Sequence, residues 1–176
     1  MRTLDSLRPR LARAGGIFPR NAALDHVETR TYVAAKPDEV WQRLMFFEEV
    51  PHRPPLLLRL LLPVPLSTSK AGVRAGESVE CTYSRGARIV KRFTEVSPPF
   101  LVCFDVVEQH LGIEPCLMTV SGSYRIRSFG AGSEIALTTT YRGHLRPRGL
   151  WRIPERRFAH EVHRHILRGM GASEFA

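Results

Sequence analysis

The sequence is poor in cysteine and in lysine and has no long hydrophobic run. Its three cysteines, Cys81, Cys103 and Cys116, are odd in number and form no CxxC pair. Such a set argues against a disulfide framework and against a thiolate metal site. A reduced cysteine within an apolar strand acts as a small hydrophobe, which fits a reducing, cytoplasmic setting. Met1 to Arg20 lacks the apolar stretch of about 7–15 residues that a secretory signal needs. The leucine-rich Leu56–Leu62 segment, interrupted by Arg59, falls far short of the roughly 20 apolar residues that span a bilayer. There is no Gly-rich phosphate loop, no nucleophile elbow and no pair of catalytic aspartates. His160, Glu161 and His165 do not make an HExxH pattern. No cofactor and no metal are therefore expected.

Acidic residues are also short. Lys and Arg number 26 against 17 Asp and Glu, for a net charge of +9, and only Lys36, Lys70 and Lys91 are lysines. The arginines are spread over every segment without a dense basic run or interleaved aromatics. A nucleic-acid footprint should be clustered, so no nucleic acid is expected as a partner.

What the chain does have is strand patterning and two amphipathic helices. Residues 1–24 read as a basic N-terminal arm, because Pro9 and Gly15-Gly16 break the helical spacing of Leu4, Leu7 and Leu11. Val27, Thr29, Thr31 and Val33 then alternate with polar neighbours, as a strand covered on one face requires. Pro37-Asp38-Glu39 opens a helix. Proline wastes no N–H at the first position, and the carboxylates suit the positive end of the helix dipole. Val40, Trp41, Leu44 and Phe47 follow at helical spacing up to Pro51.

From Gly76 the chain alternates strands with turn signals, the mark of an antiparallel meander. Val79, Cys81 and Tyr83 share a face, and the strand over 87–96 has no clear phase. Val102, Phe104, Val106 and Glu108 share a face, as do Met118, Val120, Gly122, Tyr124 and Ile126. Ile135, Leu137, Thr139 and Tyr141 form another such set. The last element is expected as a helix from Pro154 to about Gly169. Phe158, Ala159, Val162, Ile166 and Met170 fall in one arc, with Arg157, His160, Glu161, Arg164 and Arg168 opposite and His163 on the flank.

This order of elements resembles the START-like, helix-grip superfamily known as SRPBCC, which includes polyketide cyclase/dehydrase-like and lipid-transfer proteins. The residues that carry the likeness are Val33-Ala34-Ala35-Lys36-Pro37-Asp38-Glu39-Val40-Trp41, Glu95-Val96-Ser97-Pro98-Pro99-Phe100-Leu101, Gly122-Ser123-Tyr124, Gly132-Ser133-Glu134-Ile135 and the terminal helix. It spans about residues 26–170. The resemblance implies an α+β fold with a curved antiparallel sheet of about six or seven strands wrapped around a long C-terminal helix. One helix-grip domain over residues 25–172 follows. The resemblance also implies a cavity between sheet and helix that takes a small hydrophobic ligand. These motifs identify a fold better than an activity.

Two functional readings stay open. In the first, the chain binds or carries a lipid or polyketide-like molecule. Tyr83, Phe104, Val106, Val120, Tyr124, Leu137, Tyr141, Val162 and Ile166 would contact it, with Ile135 beside them. Rings can line such a pocket while tyrosine hydroxyls offer donors. In the second, the chain is a cyclase or dehydratase-like enzyme with Glu108 and His163 as acid/base residues. A carboxylate among apolar neighbours has a raised pKa. The ordinary alternatives are that Glu108 has twisted out to solvent and that His163 is a packed helix-flank residue. Leu56–Leu62 is a candidate lid. Arg53 and Arg59 beside it leave peripheral membrane contact open, and a basic-surface interaction module is a third, weaker reading.

Overall fold

The computed structural model describes residues 23–45, the backbone of 65–68, and residues 74–171. Residues 1–22 of the expected arm, Arg53, Arg59 and the Leu56–Leu62 segment lie outside the described residues. Seven strands form one antiparallel sheet. They are β1 (Asp25–Val33), β2 (Pro65–Thr68), β3 (Ser78–Tyr83), β4 (Arg88–Ser97), β5 (Leu101–His110), β6 (Leu117–Phe129) and β7 (Gly132–Gly143). Their spatial order is β1-β7-β6-β5-β4-β3-β2. The meander from β2 to β7 is built of sequential neighbours, and β1 closes on the last strand, with Asp25 opposite Tyr141 and Val33 opposite Ser133. Helix α1 (Pro37–Met45) follows β1, and helix α2 (Arg148–Gly169) is the last element.

The alternation predicted for β1, β3 and β7 holds. Val27, Val33, Val79, Cys81, Ile135, Leu137 and Tyr141 are buried. Helix α1 starts on Pro37 with Asp38 and Glu39 in its first turn. It buries Val40, Trp41 and Leu44 against the sheet. Arg43 donates to the Met170 carbonyl at 3.0 Å, tying α1 to the end of α2. The main core also takes Phe93, Val102, Phe104, Tyr124 and Ile126 from β4, β5 and β6, and Leu167 and Met170 from the end of α2. A smaller cluster of Val27, Tyr141 and Ala159, with Leu117 against it, lies nearer the start of α2.

Gly132 shows how tightly β7 begins. A Cβ there would stand 2.3 Å from the Val33 carbonyl oxygen, closer than any side chain can approach. The Ser133 hydroxyl, fully buried, donates to the Ala35 carbonyl at 2.7 Å and holds the β1–α1 corner onto β7.

Two expectations about strand phase are corrected, both by β-bulges. In β5, Glu108 pairs with Val90 and Val106 with Lys91, so Val107 is an extra residue. A bulge of this kind reverses the alternation beyond it. Glu108 therefore leaves the Val102-Phe104-Val106 face, and Gln109 takes the buried position. In β6, Thr119 pairs with Tyr141 and Ser121 with Thr140, leaving Val120 as the extra residue. Gly122, Tyr124 and Ile126 remain on the core face, but Met118 and Val120 do not continue it in step. Leu117 packs on the smaller core instead.

The start of the last helix is corrected as well. α2 begins at Arg148, and Pro154 lies inside it. Proline removes one intrahelical hydrogen bond. It sits on an exposed face here, with both Pro154 and Leu150, four residues earlier, exposed.

Candidate functional site

Helix α2 approaches β1 and β7 most closely, so the space between layers has two differently furnished parts. On the β1–β7 side the contacts are polar. The His163 ring is 2% exposed, with Nδ1 2.9 Å from the Thr29 hydroxyl and Nε2 2.8 Å from the Thr139 hydroxyl. The Thr29 hydroxyl also meets His160 Nδ1 at 2.8 Å, so one β1 hydroxyl serves two rings of the helix. Burial first, and the neighbouring His160 second, push the His163 pKa down to about 4. His163 is thus neutral over the ordinary pH range, held by two hydroxyls. The sequence pattern places His160 on the outer arc; its contact with Thr29 turns it inward.

Nearer the helix start, Arg148 spans two buried carboxylates. It donates to Asp25 at 2.7 Å and to Glu155 at 2.6 Å, and both acids are 7% exposed. Arg152 adds a second contact to Asp25 at 2.7 Å. The hydrogen bond to Glu155 leads the causes that hold the Arg148 pKa well above its ordinary value. Gly143 makes room for this arginine, because a Cβ there would collide with the guanidinium.

Tyr141 lies beside this network, fully buried, and its hydroxyl has no hydrogen-bond partner among the described residues. Burial, then Asp25 and Glu155, raise its pKa, so the phenol keeps its proton and remains a donor. A buried donor without a partner costs about 1–3 kcal/mol, which makes the group one that a guest oxygen or a water would satisfy.

Under β3, β4 and β5 the furnishing is apolar and aromatic. The Phe104 ring meets Phe93 edge-on at 6.1 Å between centroids and Tyr124 at 6.3 Å. It lies over Gly122, where a Cβ would come within 2.5 Å of the ring. Tyr83, Val96, Val106 and Ile166 pack against this core but stay only partly buried. Lys91 places its ammonium 5.2 Å from the Phe104 centroid, inside cation–π range.

Among the expected ligand contacts, Phe104, Tyr124, Leu137, Tyr83, Val106 and Ile166 belong to this one core or pack on it. Tyr141 belongs to the smaller core. Val162 is half-buried on α2, and Val120 is the bulged residue of β6. The structure does not bring Glu108 and His163 together. The Glu108 side chain is 51% exposed and pairs with Arg88 at 3.2 Å on the outer face. Lys91 escapes the sequence reading because its strand has no clear phase; the register Ile89–Cys81 and Lys91–Val79 places it inward. Gln109, another residue that sequence reasoning missed, holds the Leu117 carbonyl at 3.1 Å and the Thr119 amide at 2.9 Å. Arg148 and Asp25 carry no sequence signal, since their pairing joins residues 123 apart.

No family model matches the sequence, and no curated protein does. Solved structures do match the fold. The protein TTHA0849 from Thermus thermophilus is similar with a TM-score of 0.59 at 16% identity, over 83% of this chain and 94% of that one. The chain has the helix-grip fold of the Bet v1-like, SRPBCC structures. Truncated norcoclaurine synthase from Thalictrum flavum is similar with a TM-score of 0.58 at 16% identity, over 88% and 95%. Ara h 8.0201 gives 0.57 at 12% identity, over 84% and 95%. At these identities the shared property is the fold. No helix among the described residues is long and apolar enough to cross a membrane.

Proposed function

We propose that this helix-grip chain binds or carries a small hydrophobic molecule, lipid-like or polyketide-like, between the sheet and α2. The observation that carries the reading is the incomplete cover of Tyr83, Val96, Val106 and Ile166. These side chains pack on the core without being fully buried. Sites for such guests are mostly apolar with a few placed polar groups. Here Phe104 and Tyr124 offer ring faces and Lys91 a cation beside them, while the Tyr141 hydroxyl is a donor for a guest long enough to reach the smaller core on the β1–β7 side. The guest that fits best is therefore a hydrocarbon or aromatic body ending in a carbonyl, hydroxyl or carboxylate oxygen.

Proton transfer by Glu108 and His163 is not part of this proposal. Glu108 is on the solvent side, and His163 is neutral with both nitrogens engaged. The test is a ligand panel of fatty acids, sterols and aromatic polyketides read by melting temperature. The reading expects at least one class to raise it. Val106→Trp should fill the half-open space and abolish the shift, while Tyr141→Phe should weaken oxygen-bearing ligands about tenfold and spare pure hydrocarbons. A panel that leaves the melting temperature unmoved contradicts the reading.

A further inference from the structure

The outward stripe of α2 changes character along its length. At about 100° per residue, Leu150, Ile153 and Pro154 share a line with Arg157, Glu161 and Arg164. The later turns present charge to water, as an outer helix face should. The first two turns present apolar groups instead. Leu150 is 66% exposed and Ile153 63%. Trp151 is 37% exposed on their flank, its indole N–H donating to the Arg146 carbonyl at 3.1 Å, so the ring is held rather than loose. Leu24, next to the Asp25 that Arg148 and Arg152 grip, adds another exposed apolar side chain at the same end.

The exposed charge around these turns is predominantly basic. Between His144 and His160 the chain carries Arg146, Arg148, Arg152, Arg156 and Arg157, and its single acid, Glu155, is buried under Arg148. Arg146, Arg156 and Arg157 are exposed. We infer that the first two turns of α2 form a docking face for an anionic phospholipid bilayer. Leu150, Trp151 and Ile153 enter the interface, and the exposed Arg146, Arg156 and Arg157 meet headgroup phosphates. Tryptophan and branched apolar residues flanked by arginine are the composition that an interfacial helix face uses. The charge also selects among occupants. A second copy placed by two-fold symmetry would set arginines against arginines. The chain's own residues 1–22, with Arg2, Arg8, Arg10, Arg13 and Arg20 against Asp5 alone, would be repelled in the same way.

The two tryptophans make the test specific, since Trp41 is buried and Trp151 is not. The full chain is titrated with vesicles of roughly one-third phosphatidylglycerol in phosphatidylcholine. Trp emission should move to the blue and the protein should co-sediment. Raising salt from about 50 mM to about 500 mM should release it, since the attraction is screened. Trp151→Phe should lose the spectral shift. The pair Leu150→Glu and Ile153→Glu should lower the bound fraction about tenfold or more with an unchanged melting curve. Should that pair disturb folding, Leu150→Ser with Ile153→Ser gives the same readout without added charge. No shift on anionic vesicles at low salt overturns the inference. So does equal binding to pure phosphatidylcholine, undiminished binding by the folded variants, or a shift that follows protein concentration without vesicles.

Discussion

The two sides of the space between sheet and helix differ in what holds them. On the β1–β7 side, α2 is fixed by named polar partners: Arg148 between Asp25 and Glu155, and His163 between Thr29 and Thr139. Beneath β3–β5 there is an aromatic and aliphatic surface whose outer members are not fully covered. The difference teaches that α2 is held in two ways. Directional contacts fix it on the β1–β7 side, while Leu167 and Met170 at its end anchor it in the main core and Ile166 beside them stays only partly buried.

The sharpest way to break that division is at Arg148. Arg148→Ala strands two buried carboxylates, of which Asp25 keeps Arg152. It should cost about 3–5 kcal/mol in urea unfolding. Adding Asp25→Asn and Glu155→Gln should recover part of the loss, because the stranded charges are then gone. Ligand-induced shifts in the surviving fold should be retained. Next comes the pH response of His163. Its folded pKa of about 4 lies below the ordinary value of 6.5. The unfolded chain therefore takes up a proton first as pH falls, and stability drops between about pH 6.5 and pH 4, by roughly 3 kcal/mol. Denaturant midpoints across that window, with His163→Gln as control, should show this slope in the native chain and its loss in the variant.

Smaller effects sharpen the apolar side. Val102 and Val106 stand on one strand face, the first 2% exposed and the second half-buried. Val102→Ala should cost about 2 kcal/mol through lost burial and a cavity, whereas Val106→Ala should cost below about 1 kcal/mol. Equal costs would mean that Val106 is packed like any core residue. Smallest of all, Glu108→Gln should stay within about 0.5 kcal/mol and leave ligand shifts unchanged, as for an exposed ion pair.

The helix-grip fold is legible in the sequence because period-two alternation, the Pro37-Asp38-Glu39 start and the turn residues all act locally. Phe104, Tyr124 and Leu137 are legible for the same reason. Glu108 and Val120 are not, because a bulge is fixed by the partner strand's register and leaves the hydrophobic pattern reading straight through. Lys91 is hidden by a strand whose outer face also carries an apolar residue, Val90. Arg148, Asp25 and Glu155 show the limit most plainly. The helical spacing sets Glu155 two turns before His163, facing inward, but only the tertiary pairing reveals that it joins Arg148 and Asp25 in a buried cluster. Pro154 puts the expected helix start too late, since an exposed face tolerates the lost hydrogen bond and the helix already begins at Arg148.

The most direct measurement is native mass spectrometry of freshly purified full-length chain beside Val106→Trp. A small hydrophobic molecule should travel with the wild type and be absent from the folded variant. Bare polypeptide mass for both, with no adduct after incubation with the lipid and polyketide panel, would contradict a guest between sheet and helix.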